Sequence, residues 1–219
     1  MAKKKEITKQ EILSFYIDYF LEHNKQPTSV YLFAKHYTFD ESLFYKNYAS
    51  FDQIEKDFFN SLFTNTKTLL HKSDEFSSYD ARTQLLSFYF TYFEMLSANR
   101  SFVVAQLKES SNKLKSLSKL SELRIHFKSF YNELEIEKID LKQEKLVEIQ
   151  EKSMGEMAWL QFLFTLKFWL EDTSLSFEKT DIFIEKSVNT SFDLMDIAPL
   201  KSLIDFGKFM WQEKASFKM

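Results

Sequence analysis

Cysteine is absent from this chain of 219 residues, which removes disulfides, thiolate metal sites and thiol nucleophiles together and suits a reducing, cytoplasmic setting. Glycine and proline occur only twice each. That is too few to supply the turns of a β-sandwich or a doubly wound sheet, and helices are the architecture left. A basic field is missing too: 29 Lys and Arg stand against 32 Asp and Glu, for a formal charge of -3. Any nucleic-acid contact must therefore be local. The few histidines, His23, His36, His71 and His126, are scattered without metal-ligand spacing, and neither a Gly-rich phosphate loop nor a nucleophile elbow occurs. Glu133, Glu135, Glu137 and Asp140 form a charge run of the kind that solvates a helix end. An enzyme is the weakest class, and no catalytic group, metal or cofactor is expected. The basic start lacks the apolar run of a signal peptide. The most apolar stretch, residues 159–170, carries Lys167 and is shorter than the roughly 20 residues that cross a bilayer.

What the chain has in quantity is aromatic side chains, 25 Phe and 10 Tyr, within a hydrophobic fraction of 44%. Such a composition excludes disorder and predicts an aromatic-rich interior. Apolar residues recur at helical spacing through Ile12, Phe15, Tyr16, Tyr19 and Phe20, with Asn24 as the stop. After Pro27, either Thr28 or Ser29 can cap a short helix bearing Val30, Phe33 and Ala34. Asp40 can cap a second short helix with Leu43, Phe44 and Tyr48. Ser50 can cap a longer one through Ile54, Phe58, Leu62 and Phe63. The polar segment 71–78 reads as a boundary, followed by helices over about 79–98, 99–116, 119–134, 141–171, 177–195 and 200–214. In 141–171 a polar first half gives way to all-round hydrophobicity, the mark of a helix buried on more than one side.

Residues 12–54 resemble, without a gap, the N-terminal domain of the TetR-type transcriptional regulators. The family's Ile-Leu and Leu-Phe pairs correspond to Ile12 and Leu13, and to Tyr19 and Phe20; its Thr at the second helix is Thr28. Its Ile-Ala pair, Gly-Val-Ser turn and Leu-Tyr pair correspond to Phe33 and Ala34, to Thr38, Phe39 and Asp40, and to Phe44 and Tyr45. Tyr48, Ser50, Phe51 and Ile54 complete the match. The resemblance implies an all-α, TetR-like fold: a helix-turn-helix domain over 1–54 with a basic arm, then a helical ligand-binding and dimerisation domain over 55–219. It implies a homodimeric, ligand-responsive repressor that reads a palindromic double-stranded DNA operator, with recognition helices about one DNA turn, roughly 34–36 Å, apart.

The DNA-contacting set is then Thr28, Tyr31, Ser42, Leu43, Tyr45, Lys46 and Asn47, helped by Lys3, Lys4 and Lys5 if that arm is more than a loose terminus. Asn47 is either a reader of adenine or a solvated amide. Two departures stand out, since Tyr31 and Phe51 occupy places where the family holds phosphates with basic residues. Asp40 and Glu41 add negative charge beside the recognition helix.

In the family's C-terminal part, 141–171 and 177–195 would be the dimerising pair. Tyr89, Tyr92, Phe93, Phe102, Trp159, Phe162 and Phe168 either line a cavity for a small apolar ligand or fill a solid core. The amphipathic stretch 200–214 either packs on its own domain or rests on a membrane surface. The departures also keep a second function open, a TetR-fold protein that binds lipid or isoprenoid and has lost sequence-specific DNA binding.

Overall fold

A computed structural model describes residues 7–107, 113–136, 144–196, 206, 209 and 210. Among the described residues there is no strand, and the all-helical expectation holds. The order is α1 (Lys9–His23), α2 (Val30–His36), α3 (Glu41–Asn47), α4 (Phe51–Leu70), α5 (Ala81–Ala98), α6 (Arg100–Leu107), α7 (Lys113–Ser118), α8 (Ser121–Glu133), α9 (Glu144–Glu171) and α10 (Glu178–Asp196). Single 3-10 turns lie at Phe76–Ser78 and Leu175–Phe177. Two compact units divide the chain, one from Met1–Lys72 and Thr91–Ser129, the other from Ser73–Phe90 and Phe130–Met219.

Side chains rather than glycines set the limits of the first four helices. Thr8 opens α1 with a reciprocal cap: its hydroxyl accepts from the Glu11 amide at 3.2 Å while the Glu11 carboxylate accepts from the Thr8 amide at 2.9 Å. Asn24 closes α1 at a φ of 50°, a left-handed value that a short amide side chain tolerates. Ser29, not Thr28, caps α2 by accepting from the Leu32 amide. Asp40 and Ser50 then cap α3 and α4 on the amides of Ser42 and Gln53. Each such cap contributes about 1 kcal/mol by satisfying an amide that has no partner inside the helix.

The first unit is held by rings. Phe33 of α2 is fully buried, edge-on to Tyr16 and Tyr19 of α1, to Phe44 of α3 and to Phe51 of α4, with centroids 5.5 to 6.5 Å apart. These are the T-shaped distances that aromatic quadrupoles favour, and they lock three helices onto one side chain. Phe58 of α4 carries the packing on to Phe102 of α6 at 4.8 Å. In the second unit Phe88, Tyr89, Phe130, Trp159, Phe162 and Trp169 are buried, with Trp159 and Phe162 stacked at 5.2 Å.

One expectation is corrected. The apolar half of α9 buries Ala158, Trp159, Phe162, Leu166 and Trp169, but among the described residues nothing covers its other apolar side. Met157 is 70% exposed and Phe164 64%. All-round hydrophobicity signals that both faces avoid water; the described residues supply a cover for one of them.

The turn between α2 and α3 carries strain. Thr38 sits at a φ of 59°, where a branched side chain crowds the backbone and the resembling family has glycine. Relief of that crowding, about 1–2 kcal/mol, exceeds the extra chain entropy glycine brings to the unfolded state. Thr38→Gly should therefore raise the melting temperature by about 2 °C. A thermal melt showing no change or a decrease would mean that the turn is unstrained.

Candidate functional site

The helix pair α2–α3 presents a mixed face. Thr28, Ser42 and Lys46 are exposed, as are Tyr31 at 58% and Tyr45 at 57%, while Leu43 and Asn47 are half-buried. Asn47 turns its amide back on its own helix, with Nδ2 donating to the Leu43 carbonyl at 2.8 Å. Asp40 spends one carboxylate oxygen on the Ser42 amide, so its charge faces the helix N-terminus, where it is stabilised. Phe51, at the position where the resembling family carries a basic residue, is half-buried, stacks on Tyr16 at 5.5 Å and meets Phe44 edge-on at 5.2 Å. The side chain joins the core of the unit instead of the outer face. Lys3, Lys4 and Lys5 lie outside the described residues.

Behind this face, α3 is tied to α4 and α1. The Tyr48 hydroxyl donates to one oxygen of Asp57 at 2.8 Å, and Lys9 donates to the other at 2.7 Å while lying 5.2 Å over the Tyr48 ring. Burial, with the Asp57 hydrogen bond and charge added, pushes the Tyr48 phenol far above its ordinary value, so it remains a donor at any physiological pH. The four histidines are scattered along the sequence, yet His23 and His36 stand 6.3 Å apart, ring to ring, at the ends of α1 and α2. Among the described residues no group of three or more His, Cys, Asp or Glu is arranged to hold a metal.

A buried polar cluster, missed by sequence reading, lies under the same helices. Glu55 of α4 is 2% exposed. One of its oxygens accepts from Tyr16 Oη at 2.6 Å and Gln26 Nε2 at 3.1 Å; the other faces Lys119 Nζ at 3.2 Å. Lys119, between α7 and α8, also donates to the side-chain oxygen of Gln106 and, at 3.4 Å, to the Gln106 carbonyl in α6. Burial first, then the Glu55 charge and hydrogen bond, drives the Tyr16 phenol far above its usual value and fixes it as donor. Losing one member of a buried ion pair typically costs about 3–5 kcal/mol, because the survivor stays charged and dry. The available signal was Glu55 itself, a carboxylate in line with Phe59, Phe63 and Thr66 on the buried side of α4.

In the second unit, α9 and α10 flank an apolar groove of about 1030 Å³. Met157, Leu160, Phe164 and Phe168 of α9 face Ile182, Phe183 and Leu194 of α10 across it, and Phe168 stacks on Phe183 at 4.6 Å. Among the described residues of its lining, Lys179 and Lys186 are charged and none is a carboxylate. Of the seven aromatic side chains considered as ligand contacts, Phe168 lines this groove. Trp159, Phe162 and Tyr89 are buried together nearby, with Tyr89 5.9 Å from Phe162. Tyr92, Phe93 and Phe102 are buried in the first unit, where Tyr92 Oη donates to the Phe59 carbonyl at 3.2 Å. Most of the stretch 200–214 lies outside the described residues; Phe206, Phe209 and Met210 are exposed.

A carboxylate closes the groove's helical hairpin. Asp172, buried after α9, accepts from the amide and hydroxyl of Ser174 at 2.8 and 2.7 Å, and from the amide and hydroxyl of Thr180 at 2.9 and 2.7 Å. Ser176 and Phe177 take left-handed φ values of 50° and 60° within the turn. Burial alone would raise the Asp172 pKa, but these four donors outweigh it and hold the group down at about 2.

Comparison with known proteins gives one family match. The model described as Tetracyclin repressor-like, C-terminal domain, matches residues 84–210. No curated protein matches the chain. Residues 84–210 contain almost all of α5 and then α6 to α10, and share nothing with the N-terminal stretch 12–54, so the two likenesses are independent.

Because the folded pKa of Asp172 lies below its unfolded value of about 3.9, its stabilisation is complete above that value and fades as pH falls through about 2. Asp172→Asn, which keeps one acceptor oxygen and turns the other into a donor facing donors, should cost about 1–3 kcal/mol at pH 7. The gap between variant and parent in thermal melts should narrow between pH 4 and pH 2, at about the values already given. A gap that stays constant with pH would mean that the carboxylate charge contributes nothing.

Proposed function

The chain belongs to the tetracycline-repressor-like family, and on that premise we propose that it is a ligand-responsive, homodimeric repressor of transcription, working in the cytoplasm rather than as an enzyme. Membership suggests DNA and a second copy as partners in general. The finer assignment takes residues 1–54 as the DNA-binding domain and 55–219 as the domain that dimerises and takes up a small apolar ligand.

The single observation that carries the reading is the exposure of Tyr45, Lys46 and Ser42 on α3, a helix braced from behind by Phe33, Phe44 and the Tyr48–Asp57 hydrogen bond. Rigid support with polar groups outward is what entry into a DNA major groove requires. Phosphate contacts then fall to Lys46, the hydroxyls of Thr28, Tyr31 and Ser42, and the arm of Lys3, Lys4 and Lys5, because Phe51 is committed to the core. The uncovered apolar side of α9 with α10 supports a second copy at the groove, since an exposed patch of this kind marks an association surface.

A second reading, a TetR-fold carrier of lipid or isoprenoid without sequence-specific DNA binding, draws support from the inward Phe51 and the self-bonded Asn47. Here the groove, with Lys179 and Lys186 beside apolar walls, would hold an acyl chain and its anionic head.

Selection from a random duplex pool should enrich a palindrome, and its affinity should fall by at least about tenfold between 50 and 200 mM salt. Failure to enrich any sequence at low salt, with lipid co-purifying in native mass spectrometry, would favour the carrier. Phe164→Glu should shift the chain from dimer to monomer in sedimentation analysis and weaken operator binding by about 100-fold or more, because each half-site alone is weak. A variant that still sediments as a dimer would rule out the α9–α10 face as the interface.

A further inference from the structure

We propose that Lys119 is a positioning residue for the helix pair α2–α3, acting through the buried carboxylate of Glu55. Its consequence for DNA rests on the repressor reading; the coupling itself does not. Lys119 belongs to neither short helix, following α7 and leading into α8. Its reach into α2–α3 runs through the two oxygens of one carboxylate.

Glu55 divides those oxygens between two structural partners. Oε2 is neutralised by Lys119 at 3.2 Å, and Oε1 is held by Tyr16 at 2.6 Å and Gln26 at 3.1 Å. Gln26 directly precedes buried Pro27, two residues ahead of the Ser29 cap, so it sets how the chain enters α2. Tyr16 is edge-on to Phe33 of α2 and stacked on Phe51, which meets Phe44 of α3. Gln26 also donates to Asp52 at 3.2 Å, tying the same entry to the first turn of α4. From Lys119 to Phe44 there is no gap in the chain of contacts.

The physics of burial makes this chain responsive rather than inert. With Lys119 in place, the Glu55 charge is compensated and Tyr16 and Gln26 need supply only their own hydrogen bonds. With Lys119 withdrawn, an almost fully buried carboxylate is left with two neutral donors, Tyr16 and Gln26, and without its cation. That state is costly; taking up a proton, letting water in or moving Tyr16 and Gln26 relieves it, and each changes the bonding that holds the entry to α2 and its contact with α3. A movement of α7 and α8 that draws Lys119 away would then be read out at the helix pair. Lys119 also donates to Gln106 of α6, so the position of its ammonium is sensitive to that helix as well.

Charge compensation predicts a rescue that simple packing does not. Lys119→Met keeps the volume and removes the charge. Adding Glu55→Gln removes the stranded carboxylate, while the Gln oxygen still accepts from Tyr16 and its amide can donate towards Gln106. Hydrogen exchange by mass spectrometry on the full chain should show residues 25–47 exchanging about tenfold faster in K119M than in the wild type, and the K119M/E55Q double variant returning to the wild-type rate. If K119M fails to fold while the double variant folds with wild-type exchange in 25–47, the compensation is supported in a stronger form. Faster exchange confined to residues 107–123, equal exchange in single and double variants, or failure of both to fold would overturn the proposal. Measured on the selected duplex, affinity should fall about tenfold in K119M and recover in the double variant. A wild-type chain that selects no duplex would remove the repressor reading, while the exchange result would still decide the coupling.

Discussion

Glu55 is the constraint around which the first unit is arranged. A carboxylate placed among phenylalanines cannot stay charged without a cation and cannot reach water, so the fold must bring a cation to it. Lys119 satisfies that demand, and in doing so it fixes α7 and α8 against α4. Tyr16 and Gln26 hydrogen-bond its other oxygen, which draws α1 and the entry to α2 to the same point. Apolar packing of Phe33, Phe44 and Phe58 supplies most of the attraction, but it is non-directional; the ion pair selects one arrangement out of many that would bury the same rings.

The second unit follows a different logic. α9 is apolar on two sides, and the described residues cover one of them with an aromatic core. What remains is a groove bounded by α10, and the turn that joins the two helices is tied by four hydrogen bonds to Asp172. An apolar surface facing water is unfavourable when bare and favourable once covered, which is the physical ground for the association proposed above. The match of this half to the tetracycline-repressor-like family agrees with that physical reading without having been needed for it.

Replacements of family residues make sense once their surroundings are known. Phe51, met in the sequence as a lost phosphate contact, gains stacking on Tyr16 and edge contacts to Phe33 and Phe44. The side chain at this position therefore belongs to the core that supports the helix pair. Thr38 is the reverse case, a branched residue kept at a left-handed position where glycine would be relaxed. Asp40 stops looking like a misplaced charge when its oxygen is found on the Ser42 amide.

Periodicity and capping residues were enough to place α1 to α4, since Asn24, Asp40 and Ser50 end or begin helices through bonds to residues only a few positions away. Such local bonds leave a local trace, and the all-helical class follows from them together with the scarcity of glycine and proline. The resemblance over 12–54 was legible for the same reason, being a pattern of spacings. Nothing local links Glu55 to Lys119 or His23 to His36, and no spacing says whether the second face of α9 is covered. Those facts depend on which distant segments meet. Burial and charge pairing are properties of elements brought together by the whole chain, so only the tertiary structure could decide them.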